Sequence, residues 1–100
     1  MSSALSAAAS GLQAASLRLD ATAHNLANAH TPGFRRDEVK ATARPGSDGV
    51  DARIERSAHE GVSLEQEVVD QMTAAVVFKA NAKLVSTVDR TLGAWLDEKA

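Results

Sequence analysis

A chain of 100 residues with a formal net charge of −2 and no cysteine allows one small domain that is held together without disulfide bonds. Although 44% of the residues are hydrophobic, 20 are alanine and only Phe34, Phe78 and Trp95 are aromatic, so the chain cannot enclose a large core. The charge gives no reason to expect a nucleic acid or an anionic membrane as a partner, and no apolar stretch is long enough to span a membrane.

Residues 3 to 29 carry a heptad repeat that predicts a long first helix. Leucine recurs at every seventh position, with alanine or threonine three residues later, at Leu5, Leu12, Leu19 and Leu26, then Ala8, Ala15, Thr22 and Ala29. Only Arg18 and Asp20 carry full charges within residues 1 to 33, whereas a helix facing water normally has a charged side. We therefore expect neighbours on more than one side of this helix; the alternative is a flexible segment rich in alanine and serine.

The run from Asn25 to Phe34 marks the end of this helix. Pro32 lacks a backbone N–H and disfavours helical geometry in the residue before it, while Gly33 tolerates the positive φ that a sharp exit requires. Phe34 then follows at a fixed place beside the helix end. Asn25 and Asn28 are predicted to cap the helix end or, alternatively, to bridge to a neighbouring chain.

The middle segment predicts two short antiparallel strands. Residues 39–44 and 50–56 alternate apolar and polar residues, and residues 45–49 between them form a turn rich in proline and glycine. An isolated two-stranded hairpin is marginally stable in water. It must lean on the helices or on a neighbouring molecule, or else remain partly disordered.

Residues 64 to 97 predict a second helix, which is amphipathic. Ser63 and Gln66 form a capping-box pattern at its start. Glu65 and Glu67 lie in its first turn, where the helix dipole favours negative charge. Its apolar stripe has steps of three and four and consists of Leu64, Val68, Met72, Ala75, Phe78, Ala82, Val85, Val88, Leu92, Trp95 and Leu96.

The predicted fold class is mainly α: two long antiparallel helices form a coiled-coil-like hairpin, with a short β-hairpin or an irregular excursion between them. We expect a single domain. Residues 1–33 form the N-terminal helix and its exit turn, residues 34–62 form the hairpin or loop, and residues 63–100 form the C-terminal helix.

No residue pattern indicates catalysis, and neither a cofactor nor a metal is expected. His24 and His30 are six residues apart, so they do not share one helix face as a metal-binding pair would. The serines lack a motif that places a histidine and an aspartate beside them, and the glycines lack a phosphate-binding spacing. Acidic residues directly follow Arg35 and Arg36, which favours a solvated loop over a nucleic-acid contact. Trp95 lies on the apolar stripe, which favours ordinary packing over an interface anchor.

Two motifs, one in each helix, resemble those of the bacterial flagellar rod and hook proteins. The first is the leucine helix with Gly11-Leu12-Gln13-Ala14-Ala15, then Asn25-Leu26-Ala27-Asn28 and Thr31-Pro32-Gly33-Phe34. The second is Phe78-Lys79-Ala80-Asn81-Ala82-Lys83-Leu84-Val85-Ser86-Thr87-Val88-Asp89, then Leu92-Gly93. His30 stands where asparagine is common in the family, and Ala75-Val76-Val77 replaces a stretch that often contains Gln or Arg.

The resemblance implies a non-enzymatic structural subunit of the flagellar basal-body rod, exported through the flagellar type III apparatus without a cleaved signal peptide. Its terminal helices are expected to pair into an inner domain, whose copies stack helically around the export channel. The implied partners are further copies of the chain, other flagellar axial proteins and the export apparatus, with no nucleic acid and no direct membrane insertion. Family members usually carry a larger β-rich region between the helices, so residues 35–62 suggest a minimal rod-type subunit or a shortened relative.

Assembly is expected to proceed by helical polymerisation through the seams of both helices. The predicted assembly residues are Leu5, Leu12, Leu19, Leu26, Asn25, Asn28, Pro32, Gly33, Phe34, Phe78, Asn81, Val85, Leu92 and Trp95. The alternative from another functional class is a coiled-coil adaptor or regulatory module that binds one partner and never polymerises. An adaptor gives a discrete small oligomer at all concentrations, whereas a rod subunit gives a concentration-dependent series.

Overall fold

A computed structural model describes residues 2–99 of the chain and the side chains of residues 3–97. The elements in chain order are helix α1 (Ser2–Ala27), strands β1 (Asp37–Ala43) and β2 (Val50–Arg56), and helix α2 (Leu64–Lys99). The predicted mainly α fold, with a short antiparallel hairpin between two antiparallel helices, is confirmed. Residues 1 and 100, at the two ends of the predicted domain, lie outside the described part of the chain.

Helix α1 ends at Ala27, two residues before the predicted end. The N–H of Asn28 still donates to a carbonyl four residues back, that of His24, at 3.1 Å. The turns that follow are tighter, because their N–H groups donate to carbonyls three residues back. Gly33, directly after Pro32, then adopts a φ of 73° and turns the chain out of the helix axis.

The hairpin lies along α1. Seven residues of each strand pair, with Asp37 opposite Arg56 and Ala43 opposite Val50. β2 has the predicted bounds, whereas β1 begins two residues and ends one residue before its predicted bounds. Both strands contact α1, so the hairpin leans on a helix of its own chain. Ile54 nevertheless remains 46% exposed.

The seam between the helices consists of small and polar side chains. The buried residues of the molecule are Ala8, Ala14, Ala15, Ala21, Ala74, Ser10, Thr22, Asn25 and Glu67. Three of them, Ala8, Ala15 and Thr22, are predicted seam positions three residues after a leucine. The leucines themselves lie outside the buried seam, since Leu5 is 42% exposed and the other three are half-buried.

The predicted apolar stripe of α2 does not follow its buried face. Glu67 and Ala74 are buried, whereas Val68 and Met72 of the stripe are 44% and 64% exposed. The reason is geometric, because alanines on α1 let the two backbones approach closely and leave little room for large side chains between them. Val68 and Met72 therefore lie outside the seam, on the exposed surface of α2.

The two helices differ in length. The 36 residues of α2 extend about 54 Å and the 26 residues of α1 about 39 Å. Leu5 and Leu92 line one groove near the start of α1, and the last turns of α2 continue beyond it. Residues 89 to 97 are all exposed. The molecule measures 62 × 26 × 14 Å.

Candidate functional site

Asn25 fastens the start of β1 to the end of α1. Its side-chain amide donates to the carbonyl of Asp37 at 2.9 Å, and its Oδ1 accepts from the Asp37 N–H at 2.8 Å. The side chain thus pairs with the strand as another strand would. This pairing orders the backbone at Asp37, which explains why β1 begins two residues earlier than the alternation predicts. Asn25 is fully enclosed, so the predicted capping role is wrong for this residue.

Glu67 joins α2 to the same point. Its carboxylate, fully buried, accepts from the Asn25 amide at 3.1 Å through Oε2 and from the Arg36 Nε at 2.5 Å through Oε1. A buried carboxylate is costly unless it is paired and hydrogen-bonded. Both of its oxygens have such partners. Asn25, Arg36 and Glu67, with the backbone of Asp37, mark the end of the helix pair that is called the hinge end below.

Three carboxylates lie around the guanidinium of Arg36. Besides Glu67, it lies 3.1 Å from Glu38 and 3.5 Å from Asp70. Burial disfavours the charged guanidinium, but the hydrogen bond to Glu67 and the three nearby negative charges hold the pKa of Arg36 above its ordinary value. Arg36 therefore stays charged and links the start of the hairpin to the first turns of α2.

Glu38 extends this network onto the surface of the hairpin. Lys40 donates to its carboxylate at 3.2 Å. That hydrogen bond is the main cause that lowers the pKa of Glu38 below its ordinary value, with the charges of Lys40 and Arg36 acting in the same direction against the opposing effect of burial. Glu38 is consequently a carboxylate under all but acidic conditions.

The exit turn is organised by Asn28 and Phe34. The Asn28 amide donates to the carbonyl of His24 at 3.0 Å, and its Oδ1 accepts from the Thr31 hydroxyl at 3.2 Å. Asn28 therefore caps the helix end as predicted. The Phe34 ring meets the His24 ring edge-on, with centroids 5.4 Å apart. The aromatic residue is thus anchored beside the helix end.

A second attachment holds the far end of the hairpin. The Ser10 hydroxyl donates to the carbonyl of Ala7 at 2.8 Å and accepts from the N–H of Val50 at 3.1 Å. A Cβ placed on Gly49 would lie 2.7 Å from the Ser10 oxygen, so the tip can approach α1 only with glycine there. Ser10 and Asn25 are about 22 Å apart along α1, close to the length of a seven-residue strand.

The two sequence motifs meet in the seam between the helices. A Cβ on Gly11 would lie 2.7 Å from Oδ1 of Asn81, so the Asn81 amide occupies the space that the glycine leaves. Asn81 also donates to the carbonyl of Val77 at 3.0 Å. Gly11 belongs to the first motif and Asn81 to the second. Part of the paired signature therefore reflects a contact within one chain.

The predicted assembly residues fall into three groups. Asn25 is enclosed, and Asn81 lies in the seam, so both contact their own chain. Leu5, Val85 and Leu92 lie together and line an apolar groove of about 680 Å³ at the open end of the helix pair. The third group is distributed along the outside, half-buried or exposed, and contains Leu12, Leu19, Leu26, Asn28, Pro32, Gly33, Phe34, Phe78 and Trp95.

Sequence reasoning missed Arg36 and Glu67 as partners. The pattern around Arg36 predicted a solvated loop, which holds for exposed Arg35 and is wrong for Arg36. The position of Glu67 in the first turn of α2 is explained locally by the helix dipole, so nothing nearby pointed to burial. The two residues are 31 positions apart, and no local periodicity connects them.

Comparison with protein families finds a match at the start of the chain. The model of the family described as flagella basal body rod protein matches residues 3–35, from the start of α1 through the exit turn. The resemblance predicted from the sequence is confirmed over this region, which is the first third of the chain. Comparison with curated proteins gives no match. Among the described residues, no helix combines the length and apolar character needed to cross a membrane.

Proposed function

We propose that this chain, whose first helix and exit turn match the flagellar rod family, is a structural subunit of the basal-body rod. Its copies polymerise helically through the outer faces of α1 and α2 after export by the type III apparatus. Its partners are further copies and other flagellar axial proteins.

One observation carries this proposal: large apolar side chains lie outside, while polar ones lie inside. Val69, Met72 and Val76 on one side of α2 are 55%, 64% and 66% exposed, whereas Asn25 and Glu67 are fully buried. Contiguous apolar surface on a small protein marks an interaction site. The exposed residues follow steps of three and four, so they form a continuous stripe that fits another helix.

The outer face of α1 complements such a stripe. Apart from Leu5, Gln13, Asp20 and His24, its exposed residues are alanine and serine, at Ser3, Ala4, Ser6, Ala9, Ser16, Ala23 and Ala27. Small side chains let a neighbouring helix approach closely. Where the outer face of α1 in one copy contacts that of α2 in the next and the contact is not reciprocated, it is heterologous and can continue from copy to copy.

The first experiment deletes the coding sequence and images basal bodies by electron microscopy. The proposal predicts rods that are missing or truncated, and a plasmid copy of the wild-type sequence restores them. Intact rods and normal swimming in the deletion strain contradict the proposal.

The second experiment places a charge on the exposed stripe. Val76→Asp should leave the helical circular dichroism signal of the purified chain unchanged, because residue 76 contacts water. The same variant should fail to restore rods. Thr91→Asp is the matched control on α2, where a polar side chain is already exposed.

Sedimentation of the wild-type chain should give a series of sizes that grows with concentration. A single small oligomer at all concentrations favours an adaptor instead.

A further inference from the structure

Arg18 stands apart from the other charged residues that the structure describes. It is the only lysine or arginine within the first 33 residues, and it is half-buried. Among the residues described here, the other two half-buried cations, Arg36 and Arg44, each have a carboxylate partner, and Arg18 has none. A partly enclosed guanidinium without a partner carries a desolvation cost that an incoming carboxylate would offset.

Arg18 lies in a groove between α1, β1 and α2. The groove has a volume of about 460 Å³, and its apolar lining includes Ala15, Val39, Ala74 and Val77. Six charged residues also line it. Five of these, Arg36, Asp37, Glu38, Lys40 and Asp70, already take part in ion pairs within the chain. The groove therefore presents small apolar side chains around one unsatisfied positive charge.

The opposite end of the molecule presents the matching chemistry. Beyond the groove shared by Leu5 and Leu92, the last turns of α2 are exposed, with Leu92 at 40% and Leu96 at 53%. Asp97 is exposed beside Leu96 and, among the residues described, has no ion-pair partner. This end is an apolar surface with a free carboxylate, the complement of the groove.

We propose that the end of α2 of one copy docks in the Arg18 groove of a second copy, with Leu96 against the apolar lining and Asp97 paired with Arg18. The inference rests on the proposed rod function and names one contact by which its copies join. Groove and helix end are different surfaces of one chain, so a contact that is not reciprocated is head-to-tail and leaves one groove and one helix end open for further copies.

The test is a charge exchange in the full-length chain. Arg18→Glu and Asp97→Arg should each weaken self-association about tenfold, because each places like charges in contact. Arg18→Glu/Asp97→Arg should restore association, since the pair is then reversed. Association is measured by sedimentation velocity, and circular dichroism of each variant reports folding. The control is Glu60→Arg, which reverses an exposed carboxylate in the loop before α2 that has no ion-pair partner among the described residues, and it should associate like the wild type.

A second readout uses the absence of cysteine from the sequence. Thr73→Cys chains, altered in the groove lining, and Ala94→Cys chains keep both Arg18 and Asp97. Mixed in equal amounts, they should be joined by a short bis-maleimide far more than Ala9→Cys and Ala94→Cys chains. An Asp97→Arg chain that associates normally, a double variant that is not restored, or equal cross-linking in both mixtures overturns the proposed contact. None of these three results contradicts the rod function if the deletion strain lacks rods. Intact rods in the deletion strain contradict the rod function even where the cross-link forms.

Discussion

The hinge end and the open end of the helix pair differ in which side chains they bury. At the hinge end, Asn25 and Glu67 are fully enclosed and every hydrogen-bonding group they bury has a partner. At the open end, Leu5, Leu92 and Leu96 are 42%, 40% and 53% exposed. The chain thus satisfies its polar groups internally and leaves apolar surface uncovered. A small chain with 20 alanines obtains a defined shape from hydrogen bonds, and in the proposed rod its apolar surface is covered by neighbouring copies.

Glu67→Ala should have the largest effect on the hinge end. It leaves Arg36 without its closest carboxylate and removes the acceptor of the Asn25 amide, so we expect a loss of about 2–4 kcal/mol in the free energy of unfolding. Urea unfolding followed by circular dichroism measures this. Glu65→Ala removes the same charge from an exposed position two residues earlier and should cost less than about 0.5 kcal/mol. Equal losses would show that Glu67 acts only through the helix dipole.

Asn25→Ala and Asn28→Ala compare two asparagines near the end of α1. Asn25 is buried and holds the start of β1 (the clamp), whereas Asn28 caps the helix end. The first variant leaves the Asp37 backbone groups and one Glu67 oxygen unpaired and should cost about 2 kcal/mol in unfolding free energy. The second should cost under about 1 kcal/mol, because water replaces the lost bonds. Hydrogen exchange adds a local test. Only the Asn25 variant should speed exchange at the N–H of Asp37, and slow exchange there would contradict the clamp.

Substitutions at Gly11 and Asn81 test how closely α1 and α2 approach each other. In an Asn81→Ala background, Gly11→Ala should stabilise the chain by about 0.5–1 kcal/mol, because alanine favours a helix over glycine. With Asn81 present this gain should disappear, since the new Cβ meets the amide. Thermal unfolding of the four chains in a double-mutant cycle measures the coupling. Additive effects would mean that the two motif residues do not touch.

Glu38 gives the smallest effect, one that depends on pH. Its pKa is lowered in the folded chain, so its ion pairs stabilise the fold above its ordinary pKa of 4.5 and this stabilisation is lost as pH falls through the lower folded value. Lys40→Ala should therefore lower Tm slightly at neutral pH, and the difference from wild type should vanish in acid. Lys79→Ala, at an exposed lysine of α2, should show no such pH dependence.

Much of the fold was predictable because it depends on local patterns. The heptad of α1, the breaking of the helix by Pro32 and Gly33, and the alternation in residues 50–56 each act over a few residues. The capping role of Ser63 was also local, and its hydroxyl accepts from the N–H of Gln66 at 3.3 Å.

What escaped prediction depends on contacts distant in sequence. The start of β1 is set by Asn25, 12 residues earlier, and the burial of Glu67 by Arg36 and Asn25 on other elements. The apolar stripe of α2 indicated a buried face, but alanines on α1 exclude large side chains from the seam. Periodicity identifies an apolar face without showing whether its partner lies in the same chain or in another.

The central claim, that assembly covers the apolar surface which the single chain leaves exposed, is tested most directly at Met72. This side chain is 64% exposed on α2, and its oxidation to the sulfoxide can be followed by mass spectrometry of the peptide that contains it. Oxidation by dilute peroxide should be fast in the isolated chain and much slower in purified rods. Equal rates in the two samples would contradict the claim.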